Sequence, residues 1–413
     1  MRVFKFGGIS IASPGAIKNT AGVIRLYQPE VVVVSAMGKM TNAFESLVEA
    51  HVRKMNDKEE KYRVIRTFHL DVAQDLFQNN TEAIARITKL LDELKDKLDK
   101  PAFVNYQKAY DQIVPFGELL SSTILSLFLA GNNIPNQWLD ARKWLRTDSH
   151  YREANVDDDQ SEKLLRQFIK SGALNLTQGF IGGCDEGFST TLGREGSDYT
   201  AALIASYLNA ESVTVWKDVP GLLNADPNFI EDTVMLSHIS YHEAVELAFY
   251  GAKVIHPKTI KPLQNSNIPL YVRSFNNMKA AGTVIDNETT WDEEITSFIL
   301  KKNQVLLTLR TKDFSFMAEK HLHYLYGQFS SHGLKVNLMQ NSAITLSVCF
   351  DEDHETLGTL LGKLAGDYEI RYNKGLDLIT LRHYNEVAVR KVTRGRQVLL
   401  DQRSRITAQV VMR

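Results

Sequence analysis

Four consecutive β-branched residues, Val31-Val32-Val33-Val34, run straight into Ser35-Ala36-Met37-Gly38, and this feature most limits what the chain can fold into. A strand with one face in water alternates apolar and polar residues, whereas an unbroken valine run must be covered on both faces. That places it inside a parallel sheet with helices on either side, and ligands collect beyond the carboxyl ends of such strands. The same strand-then-loop unit recurs at 176–180 before Ile181-Gly182-Gly183, at 212–216 before Lys217-Asp218, and at 269–272 before Arg273-Ser274. The opening MRVFKFGGIS reads likewise as a strand entering a loop, since Lys5 and two glycines interrupt it where a signal peptide would stay apolar.

Between these strands, 198–208 and Tyr241–Tyr250 carry apolar residues at helical spacing. Alternation of this kind predicts an open, mostly parallel α/β sheet sandwiched by helices. From about 43 to 100 the pattern turns to charged amphipathic helix, with Ile84, Ile87, Leu90, Leu91 and Leu94 on one face, and reads as a helical insertion after the second strand. At 413 residues the chain exceeds the roughly 100–200 residues of one domain. An acidic, glycine-free stretch at 287–294 marks the expected boundary, giving a first domain of 1–287 and a second region of 295–413. In the second, 305–310 reads as a strand, 316–332 as a helix, 334–339 and 343–350 as strands, and 355–365 as a helix. With 368–372 and 376–382 expected to pair as strands, the order β-α-β-β-α-β is that of an α+β ferredoxin-like unit. The remainder after Tyr384 holds strands at 397–400 and 407–412 but is too short for a second full unit.

Lys plus Arg number 48 against 49 Asp plus Glu, so no overall field attracts nucleic acid or an anionic membrane, and any anion site is local. No apolar run is expected to reach the roughly 18 residues of a membrane helix. Cys184 and Cys349 lie outside any metal-ligand spacing and read as reduced, partly buried thiols, which fits a cytoplasmic setting.

Lys5-Phe6-Gly7-Gly8-Ile9-Ser10 places two glycines and a lysine directly after a strand, where backbone N–H groups approach phosphate oxygens. Alone it is better explained by a plain turn, and it matches neither the Walker A nor the dinucleotide spacing. Its weight comes from company. In order follow Ser35-Ala36-Met37-Gly38-Lys39-Met40-Thr41-Asn42, Phe116-Gly117-Glu118, Gly193-Arg194-Glu195-Gly196-Ser197-Asp198, Trp216-Lys217-Asp218-Val219-Pro220-Gly221 running on to Asp226-Pro227, and Gly251-Ala252-Lys253-Val254-Ile255-His256-Pro257. This series resembles the aspartate kinases, a branch of the amino-acid kinase superfamily, from residue 2 to about 285.

The resemblance implies transfer of the ATP γ-phosphoryl group to the side-chain carboxylate of L-aspartate, with Mg²⁺ carried mainly on the ATP phosphates rather than by protein ligands. A reaction between two anions needs lysine, backbone N–H groups and Mg²⁺ to neutralise the transferring group. Lys5 takes that role, with Asp198 holding it in place. The likeness gives Gly7, Gly8, Ser10, Lys217, Asp218, Lys253 and Val254 to the nucleotide. It gives Arg194 to a substrate carboxylate, which a guanidinium grips through two parallel hydrogen bonds. Glu118 is matched to the substrate ammonium, and Ser35, Thr41 and Ser197 stand beside the amino acid. The aspartate side chain, with an unperturbed pKa of about 3.9, is already ionised and needs no general base, so His256 reads as structural.

The pattern departs from the family at Ile9, Glu195, Pro220, Leu223 and Asn228. None removes a charged group given to the phosphoryl or amino-acid site, while Leu223 and Asn228 remove potential nucleotide contacts and imply altered ATP affinity. The region after 295 resembles the regulatory ACT domain of aspartate kinases, its second unit shortened. It implies homodimers or larger homo-oligomers and a feedback amino acid, lysine or threonine. Rival readings are another amino-acid kinase, or a catalytically idle amino-acid-binding subunit.

Overall fold

Alternating side chains explain how the first strand is built: in Arg2–Phe6, Phe4 and Phe6 face one side and Lys5 the other. Phe6 stacks on Trp216 with ring centres 6.1 Å apart, and Phe4 and Tyr27 meet the same indole edge-on or tilted. This aromatic cluster anchors one face of the strand and leaves Lys5 for the opposite face. The computed structural model describes residues 1–78, 80–252 and 255–413.

The chain divides into two compact units, the first comprising Met1–Leu222, Ser237–Tyr241 and Ile255–Glu288. Its eight-stranded sheet runs, in spatial order, His238–Ser240, Thr283–Asp286, Leu270–Ser274, Ser212–Lys217, Arg2–Phe6, Val31–Val34, Leu174–Gln178, Asn136–Leu139. Every neighbouring pair is parallel except Leu270–Ser274 with Thr283–Asp286. The four valines of Val31–Val34 are fully buried, as a strand covered on both faces must be. The open, mostly parallel sheet between helices agrees with the sequence reading.

The expected insertion after the second strand is made of Met40–Val52, Lys58–Phe77 and Thr81–Leu98. Ile87, Leu91 and Leu94 are buried from its apolar stripe, packing with Ile65, Val72, Phe44 and Leu47 into the same core as the sheet. It is therefore anchored by its own hydrophobic face rather than resting on the surface. One expectation fails here: the helical stretch Tyr106–Gly131 is long and apolar enough to cross a membrane by length and composition. Most of it is buried in the core, as a central helix of a sheet-and-helix layer would be.

The second unit takes in Leu223–Leu236, His242–Val254 and Thr289–Arg413. Its six-stranded antiparallel sheet has the order Val336–Asn341, Thr345–Asp351, Ser297–Thr311, Tyr368–Arg382, Thr407–Met412, Val398–Arg403. The β-α-β-β-α-β order is present, with helices Glu319–Ser331 and His354–Leu364. The expected pairing of 368–372 with 376–382 is not: both belong to one 15-residue strand laid along Ser297–Thr311. Asn373-Lys374-Gly375 looks like a hairpin turn, but Gly375 (φ +64) lies near Asn303 (φ +55) where the register shifts, so a bulge absorbs the glycine and the ladder continues. The helix Glu386–Thr393 between the last long strand and the terminal pair was not expected from the sequence. Buried Glu243 and Arg382, 139 positions apart, form a two-pronged ion pair inside this unit. Cys184 and Cys349 are both buried and unpaired.

Candidate active site

Loops after three neighbouring parallel strands, those starting at Arg2, Val31 and Leu174, open on the same edge of the sheet, and a cavity of about 740 Å³ lies there. Its floor holds Lys5, whose Nζ lies 2.6 Å from Asp198 Oδ1, both side chains nearly enclosed. Asp198 sits in the first turn of helix Gly196–Leu208, where a carboxylate complements the positive end of the helix dipole. Close backbone approach explains one glycine: a Cβ at Gly8 would stand 2.6 Å from the Gly38 carbonyl oxygen and 2.8 Å from that of Ala36. The loops after the first two strands are thereby pressed together, with Gly38 N–H donating to the Gly8 carbonyl at 2.9 Å.

Glu118 enters from helix Phe116–Gly131 and is buried. One carboxylate oxygen accepts from the Ala36 N–H at 3.1 Å, while the other has no partner among the described residues. Burial pushes its pKa up to about 8, only partly offset by the Ala36 N–H. An orphaned buried carboxyl oxygen lining a cavity suits a ligand that brings its own donor. Ser121, one turn along, donates to the Ser35 carbonyl at 2.6 Å and fixes this helix to the loop after the second strand. Thr41 comes from the first turn of Met40–Val52. Arg194 is exposed on the cavity wall and has no ion-pair partner among the described residues. It lies between Gly193 (φ +77) and Glu195 (φ +54), a sharp turn that leads into helix Gly196–Leu208.

The cavity thus gathers Lys5, Ser35, Thr41, Glu118, Arg194, Ser197 and Asp198, every residue given from sequence to catalysis or to the amino acid. Gly7, Gly8 and Ser10 lie in the adjoining loop without lining it, and Ser10 spends its buried hydroxyl on the Trp216 carbonyl at 3.3 Å. Lys217 and Asp218 stand at and just beyond the end of Ser212–Lys217, outside the cavity lining. Lys253 and Val254 fall outside the described residues. His256 caps helix Pro257–Asn265, its Nδ1 accepting from the Lys258 N–H, and its own N–H donates to Glu195 at 2.8 Å.

One wall was missed by sequence reasoning: Gln107, Tyr110, His150, Tyr151, Arg152 and Glu153. Asp111 orders it, accepting from the Arg152 N–H (3.0 Å), the Thr191 N–H (2.9 Å) and the Thr191 hydroxyl (2.7 Å). Burial raises the Asp111 pKa to about 6 against these hydrogen bonds. No spacing rule marks 148–153; its dense run of polar and aromatic side chains was the only available signal.

The arrangement offers a lysine–carboxylate pair beside a helix N-terminus at one end, and an unpaired guanidinium with a buried carboxyl at the other. A polyanion and a zwitterionic amino acid fit these two ends. Residues 1–274 match the Amino acid kinase family. The chain is 32% identical over 395 residues to lysine-sensitive aspartokinase 3 of Escherichia coli (strain K12), covering 92% of this chain and 86% of that one. The solved structure of E. coli aspartokinase III in complex with aspartate and ADP superposes with a TM-score of 0.81 at 28% identity, covering 100% of this chain and 96% of the other. The same enzyme in complex with lysine and aspartate gives 0.82 at 28% identity, covering 100% and 95%. The chain belongs to the amino acid kinase family, within its aspartokinase branch.

Proposed function

We infer that the chain is an aspartate kinase, which transfers the γ-phosphoryl group of ATP to the side-chain carboxylate of L-aspartate and yields 4-phospho-L-aspartate and ADP. The observation that carries this reading is the meeting, in one cavity, of the Lys5–Asp198 pair with Arg194 and Glu118. In this reading Arg194 takes the α-carboxylate through its free guanidinium, and Glu118 takes the ammonium through its orphaned oxygen. The side-chain carboxylate then points toward Lys5. Being ionised, one of its oxygens attacks the γ-phosphorus in line, the bond to the β,γ-bridging oxygen breaks, and the electron pair leaves with ADP.

Lys5 neutralises charge on the transferring group, and Asp198 fixes the ammonium where that charge develops. The helix N-terminus at Gly196-Ser197 adds backbone donors. Gly7, Gly8, Lys217, Asp218, Lys253 and Val254 are proposed to surround the nucleotide. Mg²⁺ would be held mainly by the ATP phosphates, with Asp198 as the carboxylate nearest to them, and would supply further neutralisation of the phosphoryl charge. Burial favours the protonated form of Glu118 in the empty cavity, and an arriving ammonium favours the carboxylate, the proton passing to solvent.

The antiparallel unit is proposed to act as an ACT-like regulatory and dimerisation region, with lysine as the first feedback ligand to try, because the E. coli relative is named lysine-sensitive. A homo-oligomeric, cytoplasmic enzyme at the head of lysine, threonine and methionine synthesis is the corresponding setting. ATP-dependent hydroxamate formation tests the reaction: L-aspartate should give product and L-glutamate little. Equal or greater turnover of glutamate would remove the aspartate assignment.

A further inference from the structure

Arg152 on the unassigned wall has a left-handed backbone, φ +73. Glycine adopts that conformation freely; a residue with a long side chain adopts it only where its surroundings hold it. Four contacts do so. Its N–H donates to buried Asp111 at 3.0 Å, its guanidinium lies 4.3 Å from the Tyr110 ring centre and 5.9 Å from that of Tyr106, and Nη2 pairs with Glu45 Oε1 at 2.9 Å.

These partners lead to the amino-acid end of the cavity. Glu45 stands four residues after Thr41 on helix Met40–Val52, on the same face one turn away. Tyr106, Tyr110 and Asp111 belong to Tyr106–Ile113, which leads into the helix carrying Glu118. A single side chain thus ties the cavity wall to the element that presents Thr41 and to the one preceding Glu118. A chain that needed only a turn at this position would be better served by glycine.

We propose that Arg152 is a positioning residue for the amino-acid substrate: clamped between Glu45 and Tyr110, it holds the Thr41 helix and the Glu118 side of the cavity in their receptive arrangement. It sets the affinity for aspartate rather than the rate of transfer. Because Glu45 neutralises its charge, Arg152 adds little to the field in the cavity and acts through geometry. The proposal rests on the aspartate kinase reading.

The test uses Arg152→Gly, Arg152→Lys and Glu45→Gln in the full chain, with kcat, KM for aspartate, KM for ATP and thermal melting for each. Arg152→Gly relaxes the backbone, so it should melt close to wild type. Its KM for aspartate should rise about tenfold from the lost cation–π contact and ion pair. Its kcat and KM for ATP should stay within about twofold. Arg152→Lys, which keeps a cation for Glu45 but not the flat stacking group, should recover part of the affinity, and Glu45→Gln should lose part. A wild-type KM for aspartate in Arg152→Gly overturns the proposal. So does a parallel loss in which both KM values rise while kcat and melting temperature fall, the mark of a purely structural role. If the wild type fails to phosphorylate aspartate at all, the enzyme assignment falls and the proposal falls with it; an active wild type with an indifferent Arg152→Gly sinks the proposal alone.

Discussion

Replacing Lys5 by methionine should separate what the Lys5–Asp198 pair does for stability from what it does for chemistry. The two groups are 2.6 Å apart, and their side chains are 11% and 5% exposed, so Lys5→Met leaves a carboxylate with almost no solvent and no counter-charge. Breaking a fully buried pair costs about 3–5 kcal/mol; this one borders an open cavity, which puts the loss at the lower end, about 3 kcal/mol. For a unit of this size that corresponds to a fall in melting temperature of roughly 6–12 °C. Asp198→Asn in the same chain removes the orphaned charge, so Lys5→Met/Asp198→Asn should regain much of the loss, with a coupling energy of about 2 kcal/mol. Activity should not return: both single variants and the double should lose at least about a hundredfold in turnover, since the group facing the transferring phosphoryl is gone or misplaced. Calorimetric melting and ATP-dependent product formation at neutral pH give both readings from one preparation. A Lys5→Met protein as stable as wild type, a double variant as unstable as the sum of the singles, or a double variant that still turns over would refute the reasoning.

Glu118 should leave a signature in the pH dependence of stability. Its pKa is raised by burial from an ordinary 4.5 to about 8, so between those values the folded state holds a proton that the unfolded state has released. Stability therefore falls as pH rises through that window. Glu118→Gln should remove Glu118's share of this fall, most visibly above about pH 6 where Asp111 no longer contributes, and weaken aspartate binding, which denaturation and calorimetry across the window would measure; identical pH slopes in the two proteins would contradict the burial argument. Gly8→Ala drives a methyl against two backbone carbonyl oxygens and should cost about 1–3 kcal/mol and most of the nucleotide affinity. Gly7→Ala, whose nearest neighbour is Lys5 Nζ at 3.6 Å, should be milder in a melting and ATP-titration comparison. Arg194→Lys should raise the KM for aspartate at least about tenfold through loss of the two-pronged grip, without lowering the melting temperature, because the side chain is exposed and has no ion-pair partner among the described residues.

The parts legible in the sequence were those governed by local pattern. The valine run announced a doubly covered strand; the seven side chains that the fold gathers in one cavity were named through the resemblance that the ordered segments carry, not through any local pattern. Three features were not legible for a common reason: each depends on what lies across from the residue in space. The Asn373-Lys374-Gly375 stretch has turn composition, but its partner strand continues past it, so it bulges instead of reversing. Glu243 and Arg382 are joined across 139 positions, a contact no periodicity marks. Arg152 owes its role to a left-handed backbone and to partners on two other helices, none of which its neighbours in sequence reveal. His256, read as structural because an ionised aspartate needs no general base, stands at the N-cap of helix Pro257–Asn265, a place that the reading did not draw from the sequence.

The central claim is that one cavity holds a triphosphate and a dicarboxylic amino acid face to face. A crystal structure of the protein with L-aspartate, Mg²⁺ and a non-hydrolysable ATP analogue tests it most directly. The α-carboxylate should lie on Arg194, the ammonium on Glu118, and the side-chain carboxylate in line with a γ-phosphate held by Lys5. Aspartate bound away from Arg194, or a nucleotide whose γ-phosphate points away from Lys5, would contradict the account.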